Sequence, residues 1–459
     1  MAWGSEVKKE VQIMNGIGGF WTNLLLRKGD LSMKNIRYYF IKVLVLCLVF
    51  IVCLVDYAKA ASPALKYKGT MTIHVIQSLT GASGAISTLY FQGFEALRRY
   101  TNEELGGING WKVEYKWADD GSTVPRALTI YKNFRQDKPL LVILPTSLGG
   151  EALKPQLAAD KIPGWNVFPS GGQIFPLTSV YIFGVPYEEQ TAAFIKYVVK
   201  QRSPQRPKIA LITHEVGWGK AMVDTLENLA PKMGADFSDH EFVGFGTVDM
   251  STVMKRFEAK GVTDLYVATY SASTGVPVTN WHDLGLKGKM TLTIISVDPP
   301  DLTIVLAKEK AEGVRFWSQF RLPSEAKTDP NIKKVIDFWN TIHAMPIADA
   351  SFGGWMAMEV VYEAIRLALK TVNNNATKLT GVLVAKAFDS VKDFKGTLHP
   401  KVTLGPGVRS TFNGFRMVEV QKDPATGKLA GVPITDWVEV GMLPRVQGQA
   451  NVDFRVYKP

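Results

Sequence analysis

The sequence predicts an α/β protein made of two doubly wound lobes, each with a parallel sheet at its centre. Short runs rich in branched aliphatic residues alternate with amphipathic segments of helical spacing. The segments between the runs are long enough for crossover helices, which parallel strands require. Because the alternation occurs as two separate series, we expect two sheets rather than one.

The first series opens with an alternating run that ends at Gln77 and is followed by a turn through Gly81 and Gly84. Apolar residues then recur at helical spacing until the chain reaches Gly106-Gly107, a typical helix stop. The predicted elements of this series are strand 71–77, a helix from residue 89, strand 112–118, helix 126–134, strand 140–144 and helix 151–159.

The second series continues the same alternation. Its predicted elements are helix 189–200, strand 208–213, helix 219–233, strand 240–245, helix 252–260, strand 264–269, helix 276–284 and strand 290–297. The helical segments 331–344 and 352–370 that follow have no strand between them, so we expect them to return and complete the first lobe. The last 60 or so residues are rich in strand and turn signals.

The N-terminal region has the pattern of an export signal. Met33 is followed by three basic residues and the apolar run 43–55, and a small-x-small sequence ends at Ala60. We therefore predict a signal peptide at 33–60 that is cleaved after Ala60, preceded by an upstream extension at 1–32. A retained membrane anchor is the alternative, because the apolar segment is almost long enough to span a bilayer.

Composition excludes several classes of function. The chain has 53 Lys and Arg against 42 Asp and Glu, a formal charge of +11, but no basic block follows the N-terminal region. The charge pattern is that of a solvated surface, so no nucleic-acid partner is expected. Cys47 and Cys53 both lie in the apolar run. Thiol catalysis, zinc–thiolate sites and iron–sulfur clusters are therefore excluded from the folded body.

No catalytic motif is recognisable. The six histidines form no close metal-binding pair, and His214-Glu215 lacks the second histidine of a metalloprotease helix. A nucleophile elbow, a phosphate loop and a dinucleotide fingerprint are all absent from the sequence. The adjacent carboxylates Asp119-Asp120 follow a predicted strand, where a turn is the more ordinary interpretation than an acid pair. We therefore expect neither an enzyme nor a cofactor, although a metal site assembled from distant segments stays open.

Polar and aromatic residues follow the predicted strands, at the sheet edge where open α/β proteins bind ligands. In the first series the loops 145–150 and 169–172 offer hydroxyl and backbone N–H donors. In the second series the strands end near Trp218, Tyr270 and Asp298. Donors on one side, with aromatics and an acid on the other, suit a zwitterion whose carboxylate faces the first lobe and whose ammonium faces the second.

Eight short motifs, in this order and spacing, resemble the type I periplasmic solute-binding proteins of ABC transporters, specifically the branched-chain amino-acid binding family. The resemblance covers roughly residues 66–400. The motifs are Ile76-Gln-Ser-Leu-Thr-Gly81, Gly93-Phe-Glu-Ala96, Leu105-Gly-Gly-Ile-Asn-Gly110, Ala118-Asp-Asp120, Thr146-Ser147, Pro169-Ser170, Gly217-Trp-Gly219 and Ala311-Glu-Gly313.

The resemblance implies two Rossmann-like lobes joined by three crossovers, with the ligand held in the cleft between them. The crossovers are expected near 183–187, 315–322 and 396–410. The expected lobes are then 66–183 with 323–395, and 187–315 with 400–459.

The resemblance also assigns roles within the cleft. Ser147 is expected to meet a ligand carboxylate with help from backbone groups at Ser170–Gly172, and Asp298 to meet an ammonium. Leu148-Gly149-Gly150 stands where the family has a run of small hydroxyl residues, and Gly172 stands where a threonine is common. These departures leave a related carboxylate or amide open as the ligand beside an amino acid. The expected ligand-binding residues are Ile86, Ser147, Ser170, Gly171, Gly172, Trp218, Tyr270 and Asp298.

Together these features predict an exported, non-catalytic periplasmic receptor, a monomer that captures a small molecule and delivers it to an ABC permease. The alternative is a ligand-sensing module of a signalling system that uses the same fold. A periplasmic hydrolase is the weakest hypothesis, because the sequence offers no nucleophile and base pair.

Overall fold

A computed structural model describes residues 65–457, apart from 296–297, 398–400, 412–413 and 425. Residues Lys66–Pro459 form one compact unit. The predicted extension at 1–32, the signal peptide at 33–60 and its cleavage after Ala60 lie outside the described residues. Among the residues that are described, no helix has the length and apolarity needed to cross a bilayer.

The first lobe contains a five-stranded sheet in the order β2-β1-β3-β4-β5, and all of its strands are parallel. The order reverses at β1, which is the mark of a doubly wound sheet. Its elements in chain order are β1 (Thr70–Gln77), α1 (Gly84–Glu103), β2 (Lys112–Asp119), α2 (Val124–Phe134), β3 (Val142–Ile143), α3 (Ser147–Asp160), β4 (Gly164–Asn166), α4 (Gly171–Ile174) and β5 (Val180–Ile182).

The second lobe contains a sheet in the order β12-β11-β10-β9-β8-β6-β7. Strands β6 to β10 are parallel, whereas β11 runs antiparallel to β10, β12 and β13. Its elements are α5 (Tyr187–Arg202), β6 (Lys208–Thr213), α6 (Gly217–Met233), β7 (Asp236–Phe242), α7 (Ser251–Ala259), β8 (Asp264–Ala268), α8 (Ser271–Asp283), β9 (Thr291–Ile294), α9 (Pro300–Ala307), β10 (Arg315–Ser318), β11 (Gly414–Lys422), β12 (Leu429–Pro433) and β13 (Val438–Glu439).

Helices cover both faces of each sheet. On β1, Val75 packs in one apolar cluster with α1, while its neighbour Ile76 packs in another with α2 and α3. On β6, Leu211 and Ile212 divide between two clusters in the same way. Successive residues of a strand point to opposite faces, so a strand buried on both sides is apolar throughout. The prediction of two doubly wound α/β lobes is confirmed.

The chain between the two parts of the second lobe forms α10 (Pro330–Ile342), α11 (Asp349–Thr371) and α12 (Gly381–Phe388). Helix α11 packs along α1 of the first lobe. Two glycines allow the close approach, because a Cβ on Gly93 would lie 2.1 Å from the carbonyl oxygen of Ser351, and one on Gly354 would lie 2.2 Å from that of Tyr90. Helix α11 therefore lies directly against α1, while the assignment of the whole segment 323–395 to the first lobe stays a prediction.

Three segments that connect the lobes lie side by side. The N–H of Ile182 donates to the carbonyl of Arg409 at 2.8 Å, and the N–H of Gly184 donates to Thr411 Oγ1 at 3.0 Å. Gly184 has a φ of 106°, and a Cβ there would lie 2.3 Å from Oε1 of Gln319, which belongs to the second connection. The packing thus leaves no room for a side chain at residue 184.

The third connection stays in contact with the first lobe. Leu404 N–H donates to the carbonyl of Val391, and Arg409 Nε donates to the carbonyl of Thr178. Residues 404–409 lie within the crossover expected near 396–410, and the assignment of 400–459 to the second lobe stays a prediction. The other lobe boundaries stay predictions.

Candidate functional site

The first lobe presents two helix starts to the space between the lobes. Thr146 caps α3, where its Oγ1 accepts from the N–H of Gly149 at 3.1 Å. Ser147 follows as the first helical residue and is fully buried. Its Oγ donates to the carbonyl of Phe168 at 3.3 Å and lies 3.4 Å from the hydroxyl of Tyr187.

The second helix start is the loop before α4. Ser170 is buried, and its Oγ donates to Oε1 of Glu151 at 2.5 Å. Lys154 Nζ donates to the carbonyls of Gly172 and Phe175, both at 2.6 Å. A Cβ on Gly172 would lie 2.6 Å from Glu151 Oε1, and one on Gly171 would lie 2.7 Å from Glu188 Oε1. These glycines therefore let two carboxylates approach the backbone.

On the second lobe, a histidine fixes the backbone of Tyr270. His214 is buried at the end of β6, where its Nδ1 lies 2.8 Å from the carbonyl of Val243 and its Nε2 accepts from the N–H of Tyr270 at 3.0 Å. This pair of bonds requires a neutral imidazole with its proton on Nδ1. Burial lowers the pKa of His214, which favours the neutral form.

Two aromatic side chains, Trp218 and Tyr270, form the second lobe's side of the site. Trp218 lies in the first turn of α6, edge-on to Tyr270 at 5.8 Å between ring centroids and 5.1 Å from Tyr187. Both Trp218 and Tyr270 are buried. The Trp218 Nε1–H and the Tyr270 hydroxyl make no well-formed hydrogen bond within the described residues, although the side chains of Trp218 and Ser147 both lie near enough to act on the Tyr270 hydroxyl.

Asp298 lies near enough to three tyrosines for its charge to act on each of them. The carboxylate is 2% exposed, and Thr274 donates to its Oδ2. Burial raises the pKa of Tyr90, Tyr187 and Tyr270, and the nearby charge of Asp298 adds to each rise. All three phenols are therefore neutral hydrogen-bond donors at physiological pH. We call Tyr90, Ser147, Tyr187, Tyr270 and Asp298 the inner cluster.

The structure thus brings Ser147, Tyr270 and Asp298 together, with Trp218 beside them. Ile86 is buried in the first turn of α1, one turn before Tyr90, and contributes apolar packing. Tyr90 and Tyr187 are site residues that sequence reasoning missed. The position of Tyr187 at the end of the first predicted crossover, 183–187, is the signal that could have identified it.

A cavity of about 310 Å³ adjoins the inner cluster, and we call it the outer cavity. It lies between the two helix starts of the first lobe and the beginning of α6 in the second. Its lining residues are Glu151, Ser170, Gly172, Glu188, Gly217, Trp218, Lys220, Ala221, Asp224, Ala450, Asn451, Val452 and Phe454.

The last four of those residues belong to the C-terminal tail, residues 441–457, which contacts both lobes. Nη2 of Arg445 lies 2.8 Å from Oε1 of Glu189 in a buried ion pair, and the N–H of Leu443 donates to the same oxygen at 3.1 Å. The Arg445 guanidinium also lies 4.6 Å from the ring centroid of Phe175 in the first lobe. Sequence reasoning did not place this tail at the cleft.

The arrangement can hold a small polar molecule by hydrogen bonds and aromatic contacts. Neutral phenols and an indole N–H donate, while buried carboxylates accept or pair with a cation. Within the described part of the chain, no group of three or more His, Cys, Asp or Glu side chains is placed to bind a metal ion.

Known proteins share this architecture. A branched-chain amino-acid ABC transporter protein from Thermus thermophilus, solved with bound valine, superposes with a TM-score of 0.71 at 21% identity, over 82% of this chain and 97% of that one. A fatty-acid ABC transporter substrate-binding protein from Thermomonospora curvata gives 0.69 at 16% identity, over 81% and 92%. A solute-binding protein from R. palustris in complex with 4-hydroxybenzoate gives 0.67 at 17% identity, over 81% and 97%.

Sequence comparison agrees with the structural one. The Leu/Ile/Val-binding protein homolog 1 of Brucella abortus is 22% identical over 229 residues, which are 46% of this chain and 57% of that relative. The match thus spans little more than half the length of the curated relative. A family model described as "Periplasmic binding protein" matches residues 70–426. The chain therefore belongs to the periplasmic binding protein family.

Proposed function

We propose that this chain is the extracytoplasmic substrate-binding protein of an ABC importer. It captures a small amino acid, or a related carboxylate or amide, between its lobes and delivers it to the permease. The observation that carries the proposal is the inner cluster, since hydrogen-bonding groups from both lobes lie near one buried carboxylate. A ligand held by both lobes stabilises the closed arrangement, which a membrane partner can recognise.

In this proposal the predicted site residues keep their assigned roles. Ser147, with backbone groups at Ser170, Gly171 and Gly172, meets the carboxylate or amide of the ligand. Trp218 and Tyr270 line the cleft, with Ile86 as apolar support. Asp298 meets an ammonium. The protein is periplasmic and acts without a cofactor or catalysis. It is secreted with cleavage of its signal peptide after Ala60.

A thermal-shift screen of the purified chain tests the proposal. The panel contains L-leucine, L-phenylalanine, L-leucinamide, benzoate and hexanoate. A ligand at about 100 times its dissociation constant stabilises the folded state by roughly 2.7 kcal/mol, so a binder gives a clear shift. Absence of a shift with every member would contradict the proposed ligand class. A shift confined to the amine-free acids would keep the receptor and remove the ammonium role of Asp298.

The Asp298→Ala variant tests that role directly. Losing one partner of a buried charge pair costs roughly 2–5 kcal/mol of binding free energy. We therefore expect calorimetric titration with the best amino-acid binder to show at least a thirtyfold loss of affinity. Asp283→Ala is the matched control, because that carboxylate is half-exposed and pairs with Lys310 at the surface. Equal affinity in the two variants would contradict the assignment.

A further inference from the structure

The outer cavity contains more carboxylates than free cations. Glu151 and Glu188 line it, and Glu188 is only 5% exposed. Oε2 of Glu188 is buried and has no hydrogen-bond partner among the described residues. Burial raises the pKa of Glu151, and the neighbouring charge of Glu188 adds to the rise. A buried carboxylate oxygen without a donor is costly, so this cavity favours a donor that carries positive charge.

The basic side chains near the cavity are engaged elsewhere. Lys154 donates to two backbone carbonyls, although its charge also acts on Glu151. Arg445 pairs with Glu189, and Lys220 is more than half exposed and lies 3.2 Å from Glu215. Asp224, on the exposed rim, adds a further negative charge. Three carboxylates thus line the cavity, against a single lysine that is itself exposed and paired.

The remaining walls suit an organic cation. The indole of Trp218 borders the cavity, and an aromatic face attracts an ammonium or guanidinium group. Asn451 and Phe454 of the C-terminal tail also line the cavity. These tail residues lie beyond residue 426, where the match to the family model ends. The cavity is thus partly built from a segment outside the family match.

We propose that the outer cavity is a subsite for a positively charged group, a primary ammonium or a guanidinium, at the far end of the ligand. This inference rests on the proposed function and names a narrower class of ligand for the same cleft. Ser147 and Glu151 lie four residues apart on α3, so their Cβ atoms are about 6 Å apart on one helix face. One ligand can therefore reach both the inner cluster and the outer cavity.

Calorimetric titration of the purified chain with matched pairs of probes tests the inference. Each pair differs in the distal charge: L-lysine against L-norleucine, L-arginine against L-citrulline, and para-aminomethylbenzoate against para-methylbenzoate. We expect the charged member of the best-binding pair to bind at least tenfold more tightly. Glu188→Gln and Glu151→Gln should each weaken the charged member by roughly 30-fold or more and leave the neutral member unchanged.

Glu227→Gln is the matched control, since this exposed carboxylate lies on the outer side of α6 and the change should leave both members unchanged. Thermal midpoints identify a variant that fails to fold, in which case the other glutamate variant decides. Binding without preference for the charged member would overturn the inference while leaving the proposed function intact. Binding by no probe would remove the proposed function, and the inference with it.

Discussion

The two walls of the cleft use their polar groups differently. On the first lobe, the hydroxyls of Thr146, Ser147 and Ser170 all make hydrogen bonds within that lobe. On the second lobe, the Trp218 N–H and the Tyr270 hydroxyl are buried without a well-formed hydrogen bond among the described residues, and they make only weaker contacts with each other and with Ser147. The hydroxyl groups of the first wall thus have hydrogen-bond partners within their own lobe, whereas the second wall has buried donors that lack a well-formed hydrogen bond.

The difference distinguishes polar groups that stabilise the structure of the cleft from polar groups that are available to bind a ligand. A satisfied hydroxyl fixes a helix start and stabilises the fold. An unsatisfied buried donor costs stability unless something else in the cleft accepts from it. Tyr90 is the first-lobe exception, because its hydroxyl is also buried without a partner in the described chain. We therefore expect ligand specificity to depend more on the aromatic side chains than on the serines.

The largest effect is expected where the tail joins the two walls. Arg445→Ala leaves the fully buried carboxylate of Glu189 without its cation, so the free energy of unfolding should fall by about 3–5 kcal/mol. Urea unfolding followed by circular dichroism measures this loss. Arg455→Ala is the control, because Arg455 is 80% exposed and pairs with Asp453 in solvent, where a change within about 0.5 kcal/mol is expected. Equal losses in the two variants would contradict a stabilising role for the buried Arg445–Glu189 ion pair.

The second effect is a pH dependence on the second wall. Burial lowers the folded-state pKa of His214 below its ordinary value of 6.5, so the unfolded chain takes up the proton more readily. The contribution of neutral His214 to the free energy of unfolding is therefore fully present above pH 6.5. It is lost as the pH falls, by at most about 1.4 kcal/mol per pH unit. His214→Gln can make both backbone hydrogen bonds without titrating. Urea midpoints between pH 7.5 and 5 should therefore fall less steeply in this variant, and parallel profiles would refute the assignment.

The third effect separates affinity from stability. Tyr270→Phe removes a hydroxyl that makes no well-formed hydrogen bond in the described chain, so the free energy of unfolding should change little. Ligand affinity should fall by about 1.5 kcal/mol, roughly tenfold, measured by calorimetry with the best binder. If Tyr270→Phe instead lost stability but kept its ligand affinity, the Tyr270 hydroxyl would stabilise the fold and would not bind the ligand.

The smallest effect is expected on the first wall. Thr146→Ala removes the cap of α3 and should lower the free energy of unfolding by about 1 kcal/mol. Because the hydroxyl is already used within the lobe, ligand affinity should change less than twofold. Thr146→Ser keeps the cap and should restore stability. A large loss of ligand affinity with unchanged stability would mean that the Thr146 hydroxyl of this wall binds the ligand directly.

Much of the fold could be predicted, because parallel strands and crossover helices follow from apolar periodicity. Strand β6 lies at 208–213, as predicted. Strand β7 was predicted at 240–245 but lies at Asp236–Phe242, because it is a half-exposed edge strand whose polar residues weaken the apolar signal. Helix α3 begins at Ser147 rather than 151, since Gly150 allows close packing against Gln173 instead of forming a loop.

The site could be predicted only in part. Ser147, Tyr270 and Asp298 follow strands, and the topology of an open sheet brings strand ends together. Tyr90 lies within a helix whose apolar spacing resembles any core face, so its position beside Asp298 depends on packing that the sequence does not encode locally. Arg445 reaches Glu189 across more than 250 residues, a contact that no local pattern indicates. The roles of all these residues in binding stay predictions.

The position of Trp218 has an optical consequence. Its indole is packed between Tyr187 and Tyr270 and borders the outer cavity, whereas Trp165 and Trp281 are buried within the cores of the two lobes. Indole emission depends on the polarity of its surroundings, so a molecule entering the cleft should shift the colour of this one fluorophore and leave the core tryptophans as a constant background. Occupancy should then be readable from the intrinsic fluorescence of the unlabelled protein.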